Sequence, residues 1–123
     1  MEKEIISHFL PAGLLEHFII IDVLKSENAM DKSIYFEVIL EEKNEILKDV
    51  DISQYESKGF TQITLQDFPI RGKAVYLRIK RRRWRHKKNK NDIIRNDFSF
   101  VAQGSGFTKE LSDFLKGTGR YKG

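Results

Sequence analysis

The 123-residue sequence contains no cysteine. This absence excludes a disulfide scaffold, a thiolate metal site and a cysteine nucleophile. Long apolar runs are absent too: the longest, Phe18–Ile21, is far shorter than the ~20 residues of a membrane-spanning helix. The charged start, Met1–Glu4, lacks the apolar segment of a secretory signal. We therefore expect a cytoplasmic protein that does not enter a membrane.

The composition is that of a globular chain, with 40% hydrophobic and 33% charged residues. The length suits one domain. We predict a single α+β domain over residues 1–117, followed by a flexible tail at 118–123 that has no core residue.

Hydrophobic periodicity predicts an antiparallel sheet of about five strands with a short helix at each end. The first helix is expected at 10–18 and the last between the N-cap Thr108 and Gly117. In the last helix Leu111, Phe114 and Leu115 share one face. The strands are expected at 19–24, 34–41, 60–67, from 74 onward and 93–102. The first of them is a run dense in β-branched residues, which is typical of a buried strand.

Strand parity predicts how the fourth and fifth strands pair. Val75, Leu77 and Ile79 are apolar and point inward. Antiparallel pairing with the fifth strand places these three residues opposite Ala102, Phe100 and Phe98; on the other face it places Lys80 opposite Asp97 and Arg82 opposite Arg95. From Arg81 onward both faces of the fourth strand are basic, and a core does not cover such a strand. We therefore expect the two strands to extend beyond the core as a basic hairpin arm.

Charge is divided between the two halves of the chain. Residues 1–68 hold six Lys or Arg and 14 Asp or Glu, whereas residues 69–123 hold 16 and four. The net charges are thus −8 and +12. A basic segment of this kind indicates a polyanionic partner. The alternative is that the acidic half neutralises the basic half within the fold.

The basic arm supplies the candidate nucleic-acid-binding residues. A two-stranded ribbon fits the major groove of DNA, and arginine can contact phosphate or guanine through two hydrogen bonds. Trp84, the one tryptophan, either stacks on a base or packs over the sheet to hold the arm. The predicted binding residues are Arg71, Lys73, Arg78, Lys80, Arg81, Arg82, Arg83, Trp84, Arg85, His86, Lys87, Lys88, Lys90 and Arg95.

Several of these segments resemble the N-terminal region of a family of bacterial insertion-sequence transposases. The most distinctive stretch reads DFPIRGK at 67–73, VYL at 75–77 and RRRWR at 81–85. The segments 10–18, 96–104 and 108–116 are similar as well, so the resemblance covers about residues 10–116. In that family this region precedes a catalytic part with an Asp/Asp/Glu metal site. The resemblance implies recognition of the double-stranded DNA ends of the element, without strand cleavage, and a catalytic partner that can be a separate chain.

Other chemistry is weakly indicated. The histidines His8, His17 and His86 lack the spacing of a zinc site, and no nucleophile–base arrangement is visible. We predict no catalytic residue, no metal and no cofactor. Two other function classes remain open: an RNA-binding protein that uses the same basic residues, and a protein-interaction module in which acidic and basic halves of different chains dock.

Overall fold

The computed structural model describes residues 3–11, 13–98 and 106–121, the last four of these by their backbone alone. The chain begins with two short helices, α1 (Lys3–Ser7) and α2 (Leu14–His17). Two strands follow, β1 (Phe18–Glu27) and β2 (Ile34–Glu42). A connecting segment, 43–54, ends in a 3₁₀ turn and leads into the hairpin of β3 (Tyr55–Ile70) and β4 (Lys73–His86). A two-residue strand, β5 (Ile93–Ile94), and helix α3 (Lys109–Tyr121) complete the described elements.

The sheet has the strand order β1-β2-β4-β3, with β5 beside the end of β4. The α+β class, the five strands and the helices near both ends confirm the sequence prediction. One pairing differs from it: β2 and β4 run parallel, so the sheet is mixed. β3 lies between them in sequence and pairs antiparallel with β4, which leaves the other edge of β4 to β2.

The predicted register of the fourth strand is wrong. Leu77 lies between Val38 and Leu65, and Ile79 lies between Leu40 and Ile63. Both edges of β4 are therefore occupied by β2 and β3 where the sequence analysis placed the fifth strand. Phe98 packs against the ring of Phe18 instead of pairing with Ile79. Phe100 and Ala102 lie outside the described residues. A parity pattern fixes which face a residue takes but not which strand is its neighbour.

The tight turn between β3 and β4 has a simple local cause. Arg71 and Gly72 both have positive φ, 54° and 77°, as a two-residue hairpin turn of type I′ requires. Pro69 lies within a register shift between Asp67 and Ile70, where a missing N–H is tolerated. The sequence analysis left 68–73 between the third and fourth strands, which includes this turn, but ended the third strand at 67, three residues early.

The core lies on one face of the sheet. Leu40, Leu77 and Ile79 are fully buried there, and Ile6 of α1 and Leu14 of α2 cover them. Val75, Leu77 and Ile79 of β4 are buried, as strand parity predicted. β1, in contrast, is an edge strand with exposed Ile19, Ile21 and Leu24, and this corrects the prediction of a buried strand.

Helix α3 begins where the sequence predicted. Thr108 accepts a hydrogen bond from the Leu111 backbone N–H at 3.4 Å, as an N-cap does, and donates one to Asp67 at 2.8 Å. Leu111 is buried, whereas Phe114 and Leu115 are exposed. The predicted apolar face is thus buried only at Leu111, although the ring of Phe114 contacts that of Phe68 at a centroid distance of 5.5 Å. The helix continues past Gly117 to Tyr121.

Candidate nucleic-acid interface

β4 carries basic side chains on both faces of the sheet. Arg78, Lys80 and Arg82 lie on the face opposite the core, which we call the open face. Arg81, Arg83 and Arg85 continue the core face beyond Ile79, the last core residue of this strand. The groups that surround each basic side chain differ. They decide which of these side chains are available to bind a ligand.

A buried carboxylate anchors the middle of the basic run. Glu42, 1% exposed, accepts hydrogen bonds from the backbone N–H of Arg82 at 2.9 Å and from the side-chain amide of Asn96 at 2.8 Å. Burial raises the pKa of Glu42, against the hydrogen bonds and nearby guanidinium groups that lower it. The sequence analysis did not identify Glu42, because a glutamate at the end of a strand resembles an ordinary exposed one.

Asn96 connects three segments of the chain. Its side-chain amide donates to the Glu45 carbonyl, its side-chain oxygen accepts from the Leu47 N–H, and its backbone carbonyl accepts from Nη2 of Arg81 at 2.7 Å. Arg82 donates from Nη1 to Ser57 at 2.7 Å. The guanidinium groups of Arg81 and Arg82 are therefore engaged within the protein.

The sequence analysis considered two roles for Trp84, stacking on a base and packing over the sheet. In the structure Trp84 packs over the sheet. It is 1% exposed, and its indole N–H donates to the side-chain oxygen of Asn44 at 2.8 Å. Trp84 lines a depression in the protein surface together with residues of the segment 43–54, among them Ile46 and Ile52. Trp84 fastens this segment to β4, and its ring is inaccessible to a base.

The predicted arm does not form. β4 pairs with β3 as far as His86, and β5 adds two pairs, Trp84 with Ile94 and Arg85 with Ile93. Arg82 is opposite Phe60 rather than Arg95, and Lys80 is opposite Gln62 rather than Asp97. The basic run is incorporated in the sheet because the long arginine stems pack while backbone carbonyls and the Ser57 hydroxyl accept from several of their guanidinium donors. Nε of Arg81 is buried without a hydrogen-bond partner among the described residues.

The loop after β4 is held by its own backbone. The N–H of His86 donates to the Asp92 carbonyl at 2.9 Å, and the N–H of Asp92 donates to the Asn89 carbonyl at 3.1 Å. Asp92 also accepts from the Tyr55 hydroxyl at 2.7 Å. The N–H of Lys87 donates to the Gln54 carbonyl at 2.8 Å. The exposed lysine side chains of this loop project from an ordered turn.

Six of the predicted cations gather at this end of β4, and we call them the basic strand end. The set is Arg83, Arg85, Lys87, Lys88, Lys90 and Arg95. Arg83 and Arg85 are half-buried and the other four are exposed. Within the described parts of the chain, none of the six forms an ion pair with a carboxylate. His86 borders the set, with its ring against Tyr55 and its Nδ1 accepting from the Lys88 N–H.

The remaining predicted residues lie elsewhere. Arg71 and Lys73 are at the opposite end of β4. The strand runs 14 residues from Lys73 to His86, which corresponds to about 43 Å. Arg78 pairs with Glu37 on the open face, Nε to Oε2 at 2.7 Å. Neutralisation by the acidic half is thus observed for Arg78, and in part for Arg81 and Arg82 through Glu42. At the basic strand end neutralisation is weaker: Glu56 lies opposite Arg85 in the β3–β4 register and Lys87 interacts electrostatically with Asp51, but the described residues form no ion pair there.

Among the residues that the structure describes, no group of three or more His, Cys, Asp or Glu could hold a metal ion. No described helix is both long and apolar enough to cross a membrane. No family model matches this chain, and neither a curated protein nor a solved structure matches it significantly.

Proposed function

We propose that this chain is a DNA-binding module that works with a transposase catalytic partner and has no catalytic activity of its own. The observation that carries the proposal is the basic strand end: six cations around one ordered loop, none of them paired with a carboxylate among the described residues. Such a cluster costs electrostatic free energy in the isolated chain, and phosphate groups would relieve it.

The chemistry of the cluster suits a phosphate backbone. Arg85 and Arg95 offer planar donors for bidentate phosphate contacts, and the loop lysines add mobile point charges. Arg83 contributes its terminal nitrogens, because its Nε donates to the Lys58 carbonyl at 3.0 Å. The loop backbone is already ordered by the His86–Asp92 and Asp92–Asn89 hydrogen bonds. Less conformational entropy is therefore lost when DNA binds.

Two arguments bear on the identity of the ligand. The first is the electrostatic one, which supports a nucleic acid without distinguishing DNA from RNA. The second is the resemblance of residues 10–116 to transposase N-terminal regions, which implies the element ends as the target, a catalytic partner as a second chain or module, and a bacterial cytoplasm as the location. An RNA-binding protein and a protein-interaction module are the outcomes against which the proposal is tested.

Titration of a labelled duplex, followed by fluorescence anisotropy, tests the proposal. If five or six of the cations contact phosphate, the slope of log K against log[salt] is about −5. An equal length of double-stranded RNA should compete less well than DNA. Binding that is absent at low salt, or that RNA removes preferentially, contradicts the proposal.

A charge-matched pair of variants locates the contact. The triple variant Lys87→Ala, Lys88→Ala, Lys90→Ala should lower the magnitude of the slope by about 2 to 3. The control, Lys3→Ala, Lys25→Ala, Lys116→Ala, removes the same charge from exposed positions outside the loop. It should leave the slope near that of the wild type. Equal losses in both variants would show that net charge, and not this surface, governs binding.

A further inference from the structure

The open face carries two aromatic rings in contact. Tyr35 of β2 and Tyr76 of β4 are half-buried, and their ring centroids are 5.7 Å apart in an edge-to-face arrangement. Their strands pair directly, Tyr35 beside Ala74 and Glu37 beside Tyr76. The rings therefore stand on the sheet itself and not on a loop. Rigid aromatic rings on a sheet surface are what single-stranded nucleic acids use as stacking platforms.

A depression of about 460 Å³ lies beside these rings. Tyr35, Tyr76, Glu37, Arg78 and Thr64 contribute to its lining. Its volume falls within the range of sites for small organic groups, and a nucleobase is such a group. The depression is open to solvent along the sheet face, so a ligand attached to a longer chain can enter it.

The polar groups of the depression are arranged around an ion pair. Glu37 has an exposed side-chain fraction of 9% and accepts from the Ser26 hydroxyl at 3.1 Å. Its other oxygen faces Nε of Arg78, whose side chain is 47% exposed. Arg78 uses Nε for this contact, and its two terminal nitrogens form no described hydrogen bond. They can donate to a phosphate or to the edge of a base.

Further along β4, the open face carries Lys80 and then the ring of Phe60 beside Arg82. Lys80 is half-buried and forms no ion pair within the described residues. Beyond it, the guanidinium of Arg82 lies 4.6 Å from the centre of the Phe60 ring, and Phe60 is 38% exposed. From Tyr76 to Arg82 the strand rises about 20 Å. That length suits roughly three to six nucleotides, depending on how closely they stack.

We propose that the open face binds an unpaired nucleic-acid strand, with one base against Tyr35 and Tyr76 and phosphates on Arg78 and Lys80. The inference rests on the proposed function for its ligand class, nucleic acid, but uses a different surface from the basic strand end. In a duplex the faces of each base are covered by stacking on the adjacent bases, so a protein side chain cannot stack on them. The aromatic end of this face therefore selects unpaired nucleotides, such as those exposed where a duplex opens.

The two surfaces are separated by the fold. Trp84 follows Arg82 on the same strand face but is buried beneath the segment 43–54, which ends the open face on that side. Lys87, Lys88 and Lys90 lie beyond this segment, in the loop. One chain could thus hold a duplex at the basic strand end and an unpaired strand on the sheet.

The test compares a labelled single-stranded DNA oligonucleotide with a duplex of the same length. Tyr76→Ala should weaken binding of the oligonucleotide by about 5- to 150-fold, the usual range for loss of one stacked base, and leave duplex binding unchanged. Tyr76→Phe should retain the affinity, because it keeps the ring. The control Phe9→Ala removes a ring that is 58% exposed but lies outside the sheet, and it should have no effect.

The outcomes separate the two proposals. If duplex binding depends on the loop lysines but neither Tyr76→Ala nor Tyr35→Ala affects the oligonucleotide, the open-face proposal is wrong and the proposed function stands. If the oligonucleotide depends on the tyrosines and the wild type does not bind duplex, the proposed function fails instead. Binding of an acidic protein to the open face without oligonucleotide binding also overturns the inference. Trp84 fluorescence reports whether each variant is folded, and Tyr35→Ala replaces Tyr76→Ala if the latter is not.

Discussion

The carboxylate of Glu42 accepts a hydrogen bond from the backbone N–H of Arg82 at 2.9 Å, across 40 residues of sequence. β2 ends at Glu42, whereas β4 continues for four residues after Arg82. The side chain of Glu42 therefore takes the place of a strand neighbour beside β4. Its second oxygen holds Asn96 at 2.8 Å, and Asn96 fixes the segment that follows β5.

Glu42→Ala should destabilise the protein. The substitution leaves the Arg82 N–H and the Asn96 amide without their buried acceptor, and each unsatisfied donor costs about 1–3 kcal/mol. Urea denaturation followed by Trp84 fluorescence measures the change. Glu41→Ala, at a half-buried neighbouring position on the open face, is the control and should change the free energy of unfolding by less than ~1 kcal/mol. Equal effects would mean that the Glu42 contacts do not stabilise the fold.

Glu42 should also make stability depend on pH. Burial raises the pKa of Glu42 above its ordinary value of 4.5 in the folded state, so the folded protein binds the proton more tightly than the unfolded chain. This contribution to stability is complete below 4.5 and disappears as pH rises through the raised pKa. Relative to Glu42→Gln, the wild type should therefore gain free energy of unfolding on acidification through that interval. A constant difference across the interval would contradict the expected pKa.

Trp84→Ala should lower stability by about 3–5 kcal/mol, because it empties a fully buried site and removes the hydrogen bond to Asn44. Trp84→Phe keeps most of the ring but loses that bond, which costs about 1 kcal/mol. Thermal unfolding measures both effects. The affinity of the folded Trp84→Phe protein for DNA should equal that of the wild type. A loss of affinity beyond the unfolded fraction would show that the indole contacts a base after all.

Engineered disulfides distinguish the observed pairing of β4 with β2 from the pairing with the fifth strand that the sequence analysis expected. The natural chain has no cysteine, so no other thiol can form a disulfide. Glu41 and Lys80 are partners in the parallel pairing of β2 with β4, and the double variant Glu41→Cys, Lys80→Cys should form a disulfide under mild oxidation. Lys80→Cys with Asp97→Cys tests the discarded pairing and should remain reduced. Mass spectrometry after proteolysis identifies the linked peptides, and the reverse result would contradict the sheet order.

Much of the local structure followed from the sequence. The inward residues Val75, Leu77 and Ile79, a break between the third and fourth strands and the Thr108 cap were predicted because each depends on neighbours within a few residues. The α+β class followed from the order of such elements. The same reasoning brought the loop lysines to one end of β4, since they are adjacent in sequence.

The partner of each strand was decided by the tertiary structure alone. Strand parity is compatible with several neighbours, and the long β3–β4 hairpin together with the parallel contact to β2 left no edge of β4 for a fifth strand before Trp84. The tertiary structure also decided which hydrogen-bond partners each arginine of β4 has. Arg81, Arg82, Arg83 and Arg85 lie in one run of sequence. Asn96, Ser57 and Glu42 reach Arg81 and Arg82 across 15 to 40 residues of chain, and the Lys58 carbonyl reaches Nε of Arg83 across 25. A buried charge is stable only where distant partners satisfy it, and the sequence does not show which partners arrive.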